Sequence, residues 1–174
     1  MIFIGGVHGV GKSYFCSKAE SELSIVTYSA SELISERKKF KFSNDKLIPD
    51  IDENQQYLLL AIDELNSIEI QYILDGHFCL LNSHGDVTRI PISTFQKLQP
   101  DAVIILTSSP DIIAERRRLR DGMDHSVEDI TRFQNEEINY ATKIANELQV
   151  PFFVSLGEDD LDKTLDFIRV IMGR

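Results

Sequence analysis

Basic residues, cysteines and long apolar runs are all scarce in this chain. Lysine and arginine total 18 against 28 aspartates and glutamates, leaving a formal net charge of −10 and a sequence pI near 4.8. A protein that grips a nucleic-acid backbone needs a basic footprint, so a broad nucleic-acid surface is excluded as an expectation. Single nucleotides are not excluded, because a few local cations suffice for one triphosphate. The two cysteines, Cys16 and Cys79, have no zinc-ligand spacing and cannot form a disulfide framework. They are expected as buried free thiols in a reducing compartment. No apolar run approaches the length of a membrane span, and no signal peptide is expected before the first apolar segment. A cytoplasmic protein without membrane contact is the expectation. Internal repeats, low-complexity tracts and linker-like stretches are also missing, so residues 1–174 are read as one domain, long enough to bury a substantial core.

What is present is concentrated at the start. Gly6-Val7-His8-Gly9-Val10-Gly11-Lys12-Ser13 fits G-x-x-x-x-G-K-[ST], the pattern of a phosphate-binding loop. The glycines let the backbone curl until successive amide N–H groups face one anion. Lys12 adds a flexible positive charge for the β- and γ-phosphates, and the Ser13 hydroxyl can complete the shell of a Mg²⁺ ion. The helix that follows contributes the positive end of its dipole. Context supports the motif: Met1-Ile2-Phe3-Ile4 reads as an apolar strand before it, and Tyr14 to Leu23 as a helix after it.

Further along, strands alternate with helices. Ile25 to Tyr28 predicts the second strand, and Ser29 is placed to cap a short helix through Arg37, with Glu32 in capping-box position. Lys38 to Ser43 is a basic connection without a clear period. Pro49-Asp50 signals the start of a long helix reaching about Ile68. Ile70 to Asp75 is the third strand, Val87 to Ile90 a brief extended piece, and Pro91 to Leu98 a short helix or loop. The unbroken apolar run Ala102 to Thr107 suits a parallel strand covered on both faces. Ser109-Pro110 opens a helix that Gly122 ends, and Ser126 caps a second one reaching about Leu148. Pro151 to Ser155 and Asp159 to Met172 give the last strand and helix. Such alternation predicts a parallel sheet with right-handed crossovers.

Beyond the loop, two groups carry chemistry. Asp75 ends its strand on the edge where ligands collect in such sheets, and an acid there can orient Mg²⁺. His77, two residues later, can reach the same region. Arg116 and Arg120 share one helix face, four residues apart, whereas Arg117 and Arg118 are expected to point elsewhere. Positioned arginines stabilise the charge that builds during phosphoryl transfer. The helix bearing them is short, and the stretch from Asp121 to Ser126 leaves no room for a large lid, so a compact helical lid is expected.

The loop, Ile73-Leu74-Asp75-Gly76-His77, Leu98-Gln99-Pro100-Asp101 before a strand, and Arg118-Leu119-Arg120-Asp121 together resemble the adenylate kinase-like branch of P-loop nucleoside monophosphate kinases. The pattern is similar in particular to the short-lid archaeal adenylate kinases and the eukaryotic nuclear adenylate kinase-like ATPases. The resemblance implies a three-layer P-loop NTPase fold with a five-stranded parallel sheet in the order 2-3-1-4-5. It implies transfer of the γ-phosphate of Mg-ATP to AMP or a similar acceptor, with some members acting mainly as ATPases. Gly6, Gly9, Val10, Gly11, Lys12, Ser13 and Tyr14 would hold ATP, Arg116 and Arg120 would be lid arginines, and Asp75 with His77 would form the acidic motif near Mg²⁺. The acceptor would sit between Ser29-Ala30-Ser31-Glu32-Leu33 and the segment after Asp75, with Arg37 and Arg89 as phosphate partners. Tyr14 departs from the second hydroxyl usual there, and Lys38 to Ser43 carries no family signature. Three readings follow: a nucleoside monophosphate kinase, a P-loop kinase of another small acceptor, or a nucleotide-dependent switch with weak ATPase activity.

Overall fold

The computed structural model describes residues 1–38, 51–68, 71–82 and 85–173, without the side chains of 51 and 52. Ile2–Gly5 (β1) is the central strand of a five-stranded parallel sheet, flanked by Tyr72–Asp75 (β3) on one side and Ala102–Leu106 (β6) on the other. Val26–Ser29 (β2) pairs outside β3 and Phe152–Ser155 (β7) outside β6. In strand order this is the 2-3-1-4-5 arrangement expected above. The three inner strands read as continuous apolar runs because helices cover both faces, and Ile4, Ile73, Leu74 and Ile104 have no exposed surface.

The covering helices are Lys12–Leu23 (α1), Ala30–Arg37 (α2), Ile51–Asn66 (α3), Ile92–Leu98 (α4), Pro110–Asp121 (α5), Val127–Leu148 (α6) and Leu161–Ile171 (α7). Their ends follow local chemistry where the sequence supplies it. The Ser126 hydroxyl accepts the Asp129 N–H at 3.1 Å and caps α6, and Gly122, at φ 73°, closes α5. Ser29 does stand at the N-cap of α2, but the expected capping box is replaced. Its hydroxyl pairs instead with that of Ser31 at 2.9 Å and makes no cap bond.

Cys79–Leu81 (β4) and Val87–Arg89 (β5) form a small antiparallel hairpin beside the main sheet. The extended piece at Val87 was legible in the sequence, but its partner β4 was not, because three residues following a buried turn carry no alternation to read. The helix start at Pro49-Asp50 and the connection from residue 39 to 43 lie outside the described residues. Both cysteines are buried free thiols, and burial pushes each up to about 12. Among the described residues no helix is long and apolar enough to cross a membrane.

Parallel pairing aligns the C-terminal ends of the strands on one edge. Ile4 lies opposite both Asp75 and Ile104, and Ser29 opposite Asp75. The loop after β1, the acid at the end of β3 and the start of α2 therefore meet at one place.

Candidate active site

The loop after β1 adopts the curled shape its glycines permit. Gly9 and Gly11 lie at φ 85° and 111°, a region that side-chain-bearing residues rarely enter, so the turn into α1 depends on them. Gly5 is needed for another reason: a Cβ there would stand 2.2 Å from the Phe78 ring. The N-terminus of α1 then points into the cavity with Ser13 and Tyr14 at its rim.

Lys12 donates to the Gly6 carbonyl at 2.7 Å, and its ammonium stands 3.9 Å from Asp75 Oδ1. Burial lowers the pKa of Lys12, while the charges of Asp75 and Glu137 raise it. Asp75 is pushed up to about 6 by burial, with Lys12 pulling it back and Glu32 adding a smaller push. Its Oδ1 is buried and accepts no hydrogen bond. That carboxylate oxygen and the Ser13 hydroxyl, both lining the cavity, are oxygen ligands of the kind a hard divalent cation takes from a protein. The residues present thus fit Mg²⁺ carried in with nucleotide phosphates.

The arginines of α5 divide three ways. Arg116 donates to the Val10 carbonyl at 3.0 Å and to Glu158 at 3.1 Å, and with Arg120 it lines the cavity. Arg120 pairs with Asp121 at 3.2 Å. Arg118 bonds Glu115, as a solvated helix face would. The expectation that Arg117 points elsewhere needs correcting, because its Nε donates to the His8 carbonyl at 2.8 Å. Helix α5 packs against the phosphate loop closely enough that two successive arginines reach loop carbonyls from adjacent angles.

The cavity measures about 620 Å³ and runs past the loop to a second end. Ser29 at the end of β2, Ser31 and Glu32 from α2, Asn54, Gln55 and Leu58 from α3, His77 after β3, and Thr94 and Phe95 from α4 build that end. Its floor is an aromatic cluster in which Phe3 meets Phe78 and Phe95 with ring centroids 5.0 and 5.3 Å apart. Among the described residues, Gln55 Oε1 is buried here without a partner. The two cations expected on this side do not line the cavity. Arg37 pairs with Glu64 on the outer side of α2 and α3, and Arg89 bonds Glu136 at 3.1 Å and covers the Tyr140 ring.

One residue behind the site was passed over in the sequence. Glu137 on α6 is fully buried and accepts the backbone N–H groups of Phe78 at 3.0 Å and Cys79 at 3.3 Å. His77 Nδ1 stands 3.3 Å from the same carboxyl. Burial pushes Glu137 up to about 7, against the two amides and Lys12. The available signal was position: Ile130, Phe133, Tyr140, Ala141 and Ile144 form the buried stripe of α6, and residue 137 falls on it.

A five-stranded parallel sheet in this order, with a glycine loop, lysine and strand-end acid on one edge, defines a P-loop nucleotide-binding protein of the nucleoside monophosphate kinase-like superfamily. The chain belongs to the AAA domain family, whose model matches residues 5–134. It is 29% identical over 157 residues to an adenylate kinase of Pyrobaculum aerophilum, covering 83% of this chain and 78% of that one. Its fold is similar to a shikimate kinase from Bacteroides thetaiotaomicron, at TM-score 0.59 and 11% identity over 99% of this chain and 98% of that one. A gluconokinase from Sinorhizobium meliloti shares the fold at TM-score 0.56 and 16% identity, over 99% and 91% of the two chains.

Proposed function

We propose that the protein is an ATP-dependent phosphotransferase of adenylate-kinase type, moving the γ-phosphate of Mg-ATP to a nucleoside monophosphate. The observation that carries this reading is one cavity with two unlike ends: a cationic end at Lys12, Arg116 and Arg120, and an aromatic-floored end built by α2, α3 and α4. The similarity to an adenylate kinase supports the acceptor class. Tyr14 at the rim and the loop amides from Gly6 to Ser13 would hold the nucleotide. Lys12 exchanges its Gly6 carbonyl for β- and γ-phosphate oxygens. Ser13 and Asp75 would hold Mg²⁺, which supplies charge neutralisation across those phosphates. Arg116 and Arg120 follow the transferring group from the lid helix, and the rest is positioning and exclusion of water. A cytoplasmic location belongs to this reading and is supported by the two buried free thiols.

The test is ADP formation by the purified protein with Mg-ATP and a panel of nucleoside monophosphates. Matching nucleoside diphosphate from at least one is expected. A second reading, a kinase for an uncharged acceptor such as a nucleoside or a sugar, is favoured by Arg37 and Arg89 pairing with acids away from the cavity and by the unpartnered Gln55. ADP formed only with an uncharged acceptor would decide for it. Slow ATP turnover indifferent to every acceptor would point to a nucleotide-dependent switch instead.

A further inference from the structure

Helix α6 touches no part of the cavity through the residues that line it, yet it reaches both loops that frame the phosphate site. Near its start, Gln134 clasps Ser108, accepting its N–H at 3.2 Å and donating to its carbonyl at 3.0 Å. Ser108 leads into the lid helix α5. One turn later, Glu137 clasps the segment after Asp75 through the Phe78 and Cys79 amides. The same carboxyl meets His77, whose ring lies tilted by 49° with its centroid 4.3 Å from that of His8 of the phosphate loop and donates to the Gly6 backbone carbonyl. A continuous chain of contacts thus runs from α6 through His77 to the loop that holds Lys12.

A fully buried carboxyl is costly. Its desolvation penalty is several kcal/mol unless the group is well bonded. Packing does not require an acid at this place, because every other buried position on the α6 stripe except Gln134 is apolar or aromatic. Gln134 and Glu137 both hold loops that frame the phosphate site, whereas the Tyr140 hydroxyl on the same stripe donates to Ile90 after β5 at 2.6 Å. The titratable groups that face Glu137 come from three other elements: Lys12 from α1, His77 after β3 and Cys79 from β4.

We propose that Glu137 is a positioning residue of the phosphotransfer site, fixing the His77 ring and the turn after Asp75 against the phosphate loop so that Lys12 and Asp75 meet the transferring phosphate in register. The inference rests on the phosphotransferase reading for its rate readout. Its structural core, the orientation of His77, is measurable without turnover.

Three variants test it: Glu137→Gln, His77→Ala and the double variant. Glutamine keeps the volume but presents an NH₂ group to a site whose neighbours are N–H donors, so one clasp is lost. Nitrogen NMR of the His77 ring should show one fixed tautomer in the parent protein and averaging in Glu137→Gln. In Mg-ATP turnover, with acceptor or without, kcat should fall about tenfold while KM for ATP stays within about threefold. In the His77→Ala background, Glu137→Gln should lower kcat by no more than about twofold further, since the two act through one path. Glu137→Asp, which keeps the acceptor oxygens, should recover part of the rate. A His77 ring indifferent to Glu137→Gln, or rate losses that multiply fully in the double variant, would overturn the proposal. If no turnover is found in the parent protein, the phosphotransferase reading fails and the NMR outcome alone still decides whether Glu137 orients His77.

Discussion

The two ends of the cavity are built by different means. At the nucleotide end, a contiguous loop of eight residues supplies most of the polar groups, and a single strand end adds Asp75. Backbone amides, one lysine and the arginines of α5 gather at that end. At the acceptor end, no stretch of more than four lining residues is contiguous, and side chains from three helices meet over an aromatic floor. The charges of the two ends also differ: Lys12, Arg116 and Arg120 stand at one, whereas Glu32 is the charged lining residue on α2 at the other and Arg37 turns outward to Glu64. An end made of backbone geometry can bind any nucleotide triphosphate, while an end made of scattered side chains can be altered one residue at a time. Under the proposed function, substrate choice belongs to the second.

Substitutions at the two ends should separate accordingly. Lys12→Ala should lower kcat/KM about 10³-fold or more, because the charge that follows the transferring phosphate is lost. Near-normal turnover would break the assignment of the nucleotide end. Asp75→Asn should cost about 10²-fold and raise the Mg²⁺ concentration needed for half-maximal rate. A variant with unchanged metal dependence would remove Asp75 from the metal site. The same end should show in stability. Asp75 and Glu137 are carboxyls that hold a proton more tightly folded than unfolded, near 6 and 7 instead of the usual values near 4. Their contribution is favourable below the unfolded-chain value and is lost as pH rises through the folded values. Measured relative to Glu137→Gln, a comparison that cancels the opposing contribution of buried His8 and His77, thermal unfolding of the ligand-free protein should thus show stability falling by about 2.5 kcal/mol between pH 5 and pH 8. A flat or rising difference between the two proteins would contradict the buried environment of Glu137.

At the acceptor end, Gln55→Leu should leave KM for ATP unchanged and raise KM for the acceptor about tenfold, the cost of one buried hydrogen bond to substrate. Equal effects on both substrates would mean that the two ends are not separable. The smallest effect is expected for Arg37→Ala. With its guanidinium paired to Glu64, KM for ATP and for an uncharged acceptor should move by less than about twofold. A large rise in KM for a nucleoside monophosphate alone would show that Arg37 leaves Glu64 when a phosphate arrives, and would favour the monophosphate reading.

The same division explains what could be read in advance. The phosphate loop, its lysine and the strand-end acid were legible because each depends on residue type at fixed local spacing. The parallel sheet was legible because buried parallel strands are unbroken apolar runs, as in Ala102 to Leu106. Arg117 was misjudged because helical spacing gives the face a residue occupies on its own helix but not what packs above it. Glu137 was passed over because an acid among Asn135 and Glu136 looks solvated until the packing of α6 against the β3 turn is known. Sequence by itself determined a nucleotide-binding edge on an alternating α/β chain, since local backbone chemistry and hydrophobic period are written in neighbouring residues. Tertiary structure alone decided the aromatic-floored end of the cavity, the outward turn of Arg37 and Arg89 and the clasp at Glu137. Those depend on side chains brought together across the fold, where desolvation and partner geometry, not spacing, choose which charge is used.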